Sequence, residues 1–142
     1  MEVVINTCFG GFGLSPEAER FLAKLQGKKV FFYYQSKYGY NNNGICEYRK
    51  TNTPDKDFLT FTLIKDLGDV TNELPNGKDI WLDSHNIKRN DKNLITVIRM
   101  LGEKANGKHA SLKIIHIPDN IEWEIAEYDG MESIEEKHRS WS

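Results

Sequence analysis

Cysteine is scarce in this sequence, and so are the features of secreted and membrane proteins. Of 142 residues only two are cysteines, Cys8 and Cys46, and their spacing gives neither a CxxC motif nor a zinc-ligand pattern. No stretch is apolar for long enough to cross a bilayer, and there is no secretory leader. A chain of this size can bury a core without disulfide or metal support, so we expect a soluble cytoplasmic domain with both thiols free.

A net excess of positive or negative side chains is also lacking. Nineteen Lys and Arg residues against 21 Asp and Glu residues leave a net charge of -2, so the broad basic face that duplex nucleic acid requires is not expected. A small anionic ligand needs only a local cluster of cations and remains compatible with this composition. The four histidines form no i,i+4 pair with a companion carboxylate, and we predict no metal site.

The apolar residues follow helical spacing in two segments and strand-like patterns in most others. Ser15 followed by Pro16 predicts a helix over about 16–26, and Asn90 or Asp91 caps a second helix that stops at Asn106-Gly107. Strands are expected at residues 2–7, 28–34, 58–64, 111–118 and 121–128, with a short strand or turn at 80–86. Residues 36–56 are predicted to be a long loop or a loose hairpin, and the charged tail 131–142 is predicted to be helical.

This order of elements lacks the regular βαβ alternation of a parallel sheet. We therefore predict a single α+β domain over residues 1–142. It has a mostly antiparallel sheet, two main helices and a short charged C-terminal helix.

The stretch NTCFGGFGLSPEA, residues 6–18, has the glycine content of a phosphate-binding loop between a strand and a helix. A dinucleotide fingerprint would need a third glycine where Pro16 stands and an acidic residue after the next strand, which instead ends in two tyrosines. No Gly-Lys-Ser/Thr follows, so a P-loop is excluded as well. We interpret the stretch as a structural turn whose glycines adopt positive φ and whose Phe9 and Phe12 pack into the core.

Two short histidine motifs allow an enzymatic alternative. His109-Ala-Ser111 and His138-Arg-Ser140 both fit the His-x-Ser half-motif of two-histidine phosphoesterases. His138 belongs to the charged tail, however, and the two motifs are too close in sequence for the usual two lobes. The adjacent residues 83–85, Asp-Ser-His, cannot point at one another as a catalytic triad requires.

The best-equipped region for a ligand surrounds the start of the second helix. Trp81 can stack on a base, Asn90 and Asp91 can bind ribose hydroxyls, and Arg89 with Lys108 can pair with phosphates. The alternative is a solvated helix start with Trp81 as an anchor of the core. The residues alone leave both interpretations open.

Three blocks of the sequence resemble a family of small phage proteins. They are VVINTCFGGFGLS (3–15), RNDKNLITVIRMLGEKANGKHASLKIIHIPD (89–119) and EWEIAEYDGMESIEEKHRSW (122–141). The family is the Thoeris anti-defence family, first type, whose members sequester the cyclic ADP-ribose isomer signals of bacterial TIR-domain immunity. The resemblance implies a protein of the host bacterial cytoplasm that needs no cofactor and is not an enzyme. It also implies assembly through dimers into a larger oligomer, a hexamer, with the signal buried intact at a subunit interface; some members also bind cyclic trinucleotides.

The resemblance also implies a set of binding residues. The family places an aromatic for base stacking, an asparagine about ten residues later and basic residues for the phosphates, which correspond to Trp81, Asn90 and the cations Arg89, Lys108 and Arg139. The chain departs from the family at two positions: Lys108 stands where relatives have arginine, and Ser133 stands where they have tryptophan. The alternatives are a phosphodiesterase that cleaves a cyclic nucleotide signal and a structural phage protein without a small ligand.

Overall fold

The computed structural model of the protein describes residues 1–55 and 59–137. Within them, the helices are α1 (Pro16–Leu25) and α2 (Lys92–Leu101), and the strands are β1 (Glu2–Asn6), β2 (Phe31–Lys37), β3 (Glu47–Thr51), β4 (Phe61–Leu63), β5 (Val70–Thr71), β6 (Leu112–His116), β7 (Trp123–Tyr128) and β8 (Met131–Glu136). All pairings among these strands are antiparallel, so the predicted α+β class is confirmed. No helix in this part of the chain is long and apolar enough to span a bilayer.

Both helices begin at the predicted caps. The Ser15 hydroxyl accepts a hydrogen bond from the backbone N–H of Ala18 at 3.1 Å, and the Asp91 carboxylate accepts from the N–H groups of Asn93 and Leu94 at 2.9 and 3.1 Å. These oxygens satisfy N–H groups that have no partner within the helix. The helix predicted over about 16–26 is observed as Pro16–Leu25, so both of its ends lie within one residue of the prediction.

The strands β1 and β6 form a two-stranded ribbon that lies between two layers. Val4 on one face packs against the helices, in a cluster with Leu14, Ala18, Leu22, Leu94, Ile95, Val97, Ile98 and Ala105. Val3 and Ile5 on the other face pack against Trp123 and Ile134 of the β7–β8 hairpin. Successive side chains of a strand point to opposite faces, so the continuous apolar run of β1 supplies both layers.

A second sheet, of strand order β4-β2-β3-β5, packs on the outer side of α1. Phe32 of β2 is buried beneath the guanidinium of Arg20, which lies 4.9 Å from the ring centroid. On the opposite face Tyr33 and Leu63 form a core cluster with Ile80. Through Ile80, the segment between β4 and α2 packs against this face of the sheet.

The prediction of a C-terminal helix is wrong for residues 131–136. This segment is β8, paired with β7 from Trp123↔Glu136 to Tyr128↔Met131. Asp129 and Gly130 both have positive φ, 51° and 86°, as a two-residue hairpin turn requires. The Asp-Gly pair outweighs the helical propensity of the glutamates that follow it. Residues 138–142 of the predicted helix lie outside the described residues.

Of the two alternatives predicted for residues 36–56, the hairpin is confirmed, because β2 pairs with β3 from Phe32↔Thr51 to Lys37↔Glu47. The strand predicted at 58–64 is shorter, since β4 spans Phe61–Leu63 and Leu59 is 73% exposed. Residues 56 and 58 of these predictions lie outside the described residues. Trp81 forms an isolated β-bridge with Leu63, which accounts for the strand-like pattern of residues 80–86.

Candidate functional site

The buried side chain of Asn6 organises the glycine-rich corner. Its Nδ2 donates to the carbonyls of Cys8 and Gly130 at 2.7 and 2.8 Å, and its Oδ1 accepts from the N–H of Ser111 at 2.8 Å. A single side chain therefore joins the end of β1 to the start of β6 and to the β7–β8 turn. This role of Asn6 has no local signal in the sequence, because two of its partners, Ser111 and Gly130, lie more than 100 residues away.

The glycines of the corner are needed for backbone contact. A Cβ atom on Gly130 would lie 2.4 Å from the nitrogen of Gly11 and 2.6 Å from that of Gly10. Gly10 and Gly11 have φ of 142° and 95°, so the interpretation of a structural turn with positive φ is confirmed. Phe12 packs against the core as predicted. The prediction for Phe9 is wrong, because its side chain is 56% exposed.

Arg89, one of the predicted ligand cations, is held in a partly buried ion pair. Its Nη1 and Nη2 donate to the two carboxylate oxygens of Glu132 at 2.5 and 2.8 Å. The guanidinium also lies 3.7 Å from the centroid of the Phe12 ring. Glu132 in turn accepts a hydrogen bond from the backbone N–H of Asn6 at 2.8 Å. This geometry neutralises the arginine and gives it the role of positioning the chain beside Asn90.

The two polar residues after Arg89, Asn90 and Asp91, differ in whether their side chains are accessible to a ligand. Asp91 caps α2 with its carboxylate, as described above. Asn90 is exposed, and the contact of its side-chain amide is a long one of 3.7 Å to the sulfur of Met1. Asn90 is therefore the member of this pair that a ligand can reach.

Trp81 lies half-buried at the edge of the second sheet. Its indole Nε1 donates to the carbonyl of Pro75 at 2.9 Å, and its ring meets Phe61 edge to face with centroids 6.0 Å apart. The hydrogen bond and the ring contact support the interpretation of Trp81 as an anchor of the core. Its use as a stacking platform for a base stays a prediction.

Lys108 and Asn90 lie beyond opposite ends of α2. An α-helix rises about 1.5 Å per residue, so the ten residues of α2 separate its ends by roughly 15 Å. Lys108 is exposed and follows Gly107, which packs against the backbone of Gly13. Arg139 lies outside the described residues. One protomer therefore does not bring Asn90 and Lys108 to one small pocket.

Three cavities of the described residues lie elsewhere. One of about 310 Å³ is formed by the β2–β3 hairpin and includes Tyr34 and Tyr38, and one of about 410 Å³ lies at the start of α1 beside Ser15 and Lys104. A third, of about 280 Å³, includes Arg20, Lys29 and Lys50. None of the three is lined by Trp81, Asn90 or Lys108.

The half-buried carboxylate of Glu19 stands out electrostatically. Burial against the second sheet raises the pKa of Glu19 to about 7, although a hydrogen bond with the side chain of Thr62 opposes the shift. Glu19 thus changes its charge near neutral pH, at the junction of α1 and β4.

The histidines have no common site in this part of the chain. His109 is exposed beside Gly10, whereas His138 of the second His-x-Ser motif lies outside the described residues. Among residues 1–55 and 59–137, no three His, Cys, Asp or Glu side chains are grouped so that they could hold a metal ion.

Comparisons with known proteins assign no relative to this chain. No family model matches it, and no curated protein or solved structure does so either.

Proposed function

We propose that the protein binds a cyclic ADP-ribose isomer in the cytoplasm of the host bacterium and holds it intact. TIR-based immunity is thereby deprived of its signal. The observation that carries this proposal is the meeting in space of three segments, 3–15, 89–119 and 122–137, which are the described parts of the blocks on which the resemblance to the Thoeris anti-defence family depends.

These segments are joined by two sets of contacts. Asn6 of the first segment bonds to Ser111 of the second and to Gly130 of the third. Arg89 of the second segment forms the bidentate ion pair with Glu132 of the third. Because residues far apart in sequence contact one another, the three resembling segments belong to one structural unit. A resemblance that covers one structural unit supports membership of the family better than three unconnected short matches would.

The separation of Asn90 and Lys108 supports a pocket shared between protomers. Within one chain they lie beyond opposite ends of a helix roughly 15 Å long. In a two-fold dimer, the same surface patch of each subunit contacts its partner, so Lys108 of one protomer can lie beside Asn90 of the other. The signal then binds where the two chains meet, and the dimer is part of the mechanism.

Affinity in such a pocket comes from three kinds of contact. The exposed part of the Trp81 ring stacks on adenine, the Asn90 amide bonds a ribose hydroxyl, and Lys108 pairs with the pyrophosphate. Enclosure between two protomers removes water and strengthens the charge pairing. No bond of the ligand is broken, so the free signal concentration falls only by mass action.

Equilibrium dialysis against cyclic ADP-ribose isomers tests the binding residues. Trp81→Leu removes base stacking but keeps an apolar side chain, and we expect it to lose about 1–3 kcal/mol of binding free energy, or about 5- to 150-fold in affinity. Trp81→Phe retains an aromatic ring and is the matched control. Unchanged affinity in Trp81→Leu would place the base elsewhere.

The same dialysis distinguishes the role of Lys108. Lys108→Ala should weaken binding, while Lys113→Ala, which removes an exposed lysine of β6, should not. Lys108→Arg restores the planar donor of the family and should bind at least as tightly. Light scattering of the loaded protein completes the test, since a monomeric complex would contradict the shared pocket.

A further inference from the structure

A cleft at the start of β2, beside α1, gathers three cations around a cavity of about 280 Å³. Arg20 comes from α1, Lys29 precedes β2, and Lys50 belongs to β3. The one carboxylate in the lining is that of Asp66. The lining therefore has an excess of two positive charges, although the whole chain has a net charge of -2.

Aromatic rings hold the cations in place. The ammonium groups of Lys29 and Lys50 lie 5.6 and 5.1 Å from the centroid of the same Phe31 ring, and Arg20 lies over Phe32. Cation–π attraction orients these long side chains at small energetic gain, about 0.5–1 kcal/mol each at exposed sites. Phe31 and Phe32 point to opposite faces of β2, and all three cations line the one cavity at the start of this strand.

Only one of the three cations has a carboxylate partner in the described residues. Lys50 Nζ pairs with Oδ1 of Asp66 at 2.5 Å. Arg20 has a single hydrogen bond of 3.3 Å, to the carbonyl of Asn52, and neither it nor Lys29 has an ion pair within residues 1–55 and 59–137. Two positive charges therefore remain to attract an anion.

Asp66 adds a hydrogen-bond acceptor to this cationic site. Its Oδ1 accepts from Lys50 and from the N–H of Gly68 at 2.8 Å, and it lies 3.5 Å from the Tyr33 hydroxyl. Its Oδ2 makes no hydrogen bond within the described residues. A ligand that suits the cleft therefore has an anionic group and, a few ångströms away, a hydroxyl that can donate.

We propose that this cleft is a binding site for a small phosphorylated sugar. The phosphate lies between Arg20 and Lys29, and a sugar hydroxyl donates to Oδ2 of Asp66. Arginine suits this task because its planar fork can donate two parallel hydrogen bonds to one phosphate. A volume of about 280 Å³ accommodates a pentose phosphate and lies near the lower limit for ligand sites. The site is separate from the Trp81 region and does not depend on the function proposed for it.

Calorimetric titration with ribose 5-phosphate tests this site, with inorganic phosphate and ribose as the two comparison ligands. Ribose 5-phosphate should bind saturably and more tightly than phosphate, and ribose alone should not bind. Arg20→Gln and Lys29→Gln should each reduce the affinity about tenfold or more, since each removes a charged hydrogen bond. Lys24→Gln is the matched control, because Lys24 is exposed on α1 and does not line the cleft.

The titration has clear contrary results. Absence of saturable binding at millimolar ribose 5-phosphate would overturn the site, and so would equal weakening by Lys24→Gln, which would indicate diffuse attraction only. Inorganic phosphate binding as tightly as ribose 5-phosphate would overturn the sugar specificity. Circular dichroism and melting temperature check that each variant is folded. Lys29→Gln keeps the test valid if Arg20→Gln is unstable, because Lys29 is exposed and its side chain has no hydrogen bond or ion pair within residues 1–55 and 59–137.

Discussion

Gly130 is constrained both by its backbone angle and by its neighbours. Gly130→Ala should lower the free energy of unfolding by several kcal/mol, because the new methyl would meet the backbone of Gly10 and Gly11 at under 3 Å in addition to occupying a positive φ. Gly68→Ala is a close control, since φ is 87° there and no atom lies within 4 Å of the added Cβ. It should cost only about 1 kcal/mol in urea denaturation. Equal losses in the two variants would contradict the close packing at Gly130.

Glu19 makes the stability of the protein depend on pH near neutrality. Its folded pKa of about 7 lies above the ordinary value of 4.5, so the folded state favours the protonated form. This contribution to stability is present in full below about pH 4.5 and is lost as the pH rises to about 7, by at most about 3 kcal/mol. The melting temperature of the wild type should therefore fall between pH 5 and pH 8. Glu19→Gln should abolish this fall, whereas Glu17→Gln, on the exposed side of α1, should show it like the wild type. Parallel pH profiles of wild type and Glu19→Gln would contradict a buried carboxylate.

Individual residue roles were predictable from sequence where the partner is local. Ser15 and Asp91 were identified as caps because a cap bonds within three residues of itself. The pairing of Arg89 with Glu132, 43 residues apart, could not be predicted in this way. Only the fold brings these two side chains together, and for that reason the arginine was interpreted as a ligand cation.

Among the elements, β8 differs most from expectation, and one substitution can test its conformation. Glu135 lies opposite Glu124 in the register of the β7–β8 hairpin. Glu135→Thr should raise the free energy of unfolding by about 0.5 kcal/mol, because it removes a like-charge pair and adds a residue that favours strands. Glu136→Thr, opposite Trp123, removes no such pair and should give a smaller gain. A destabilising Glu135→Thr would favour the helix that the sequence pattern predicted.

The other elements were predictable in proportion to the strength of their local patterns. The β-branched run predicts β1, and the cap predicts the start of α2, each within a residue or two. The end of α2 was predicted at Asn106-Gly107 but lies at Leu101, where Gly102 has positive φ and a short 3-10 helix, Gly102–Ala105, follows. β8 was missed because its glutamates favour a helix locally, while the pairing with β7 that decides its structure starts from only two turn residues. The cleft of Arg20, Lys29 and Lys50 was missed for a related reason, since three separate elements contribute its cations.

The molecule as a whole has two candidate ligand regions that share no residue, although Trp81 of one and Phe31 of the other pack in the same core cluster. The Trp81, Asn90 and Lys108 region requires a second protomer to close, whereas the cleft beside α1 is formed within one chain. Loss of one should therefore leave the other intact: Arg20→Gln is expected to retain the cyclic ADP-ribose isomer, and Trp81→Leu is expected to retain ribose 5-phosphate.

Sequestration without cleavage is the central claim, and recovery of the ligand after denaturation tests it most directly. The protein is incubated with the cyclic ADP-ribose isomer until the free signal is depleted, and is then heated and removed by filtration. Liquid chromatography with mass spectrometry should recover the bound signal in full and at its original mass. Hydrolysed product in the filtrate would contradict the account and indicate a phosphodiesterase, and a signal that is never depleted would show that the protein does not bind it.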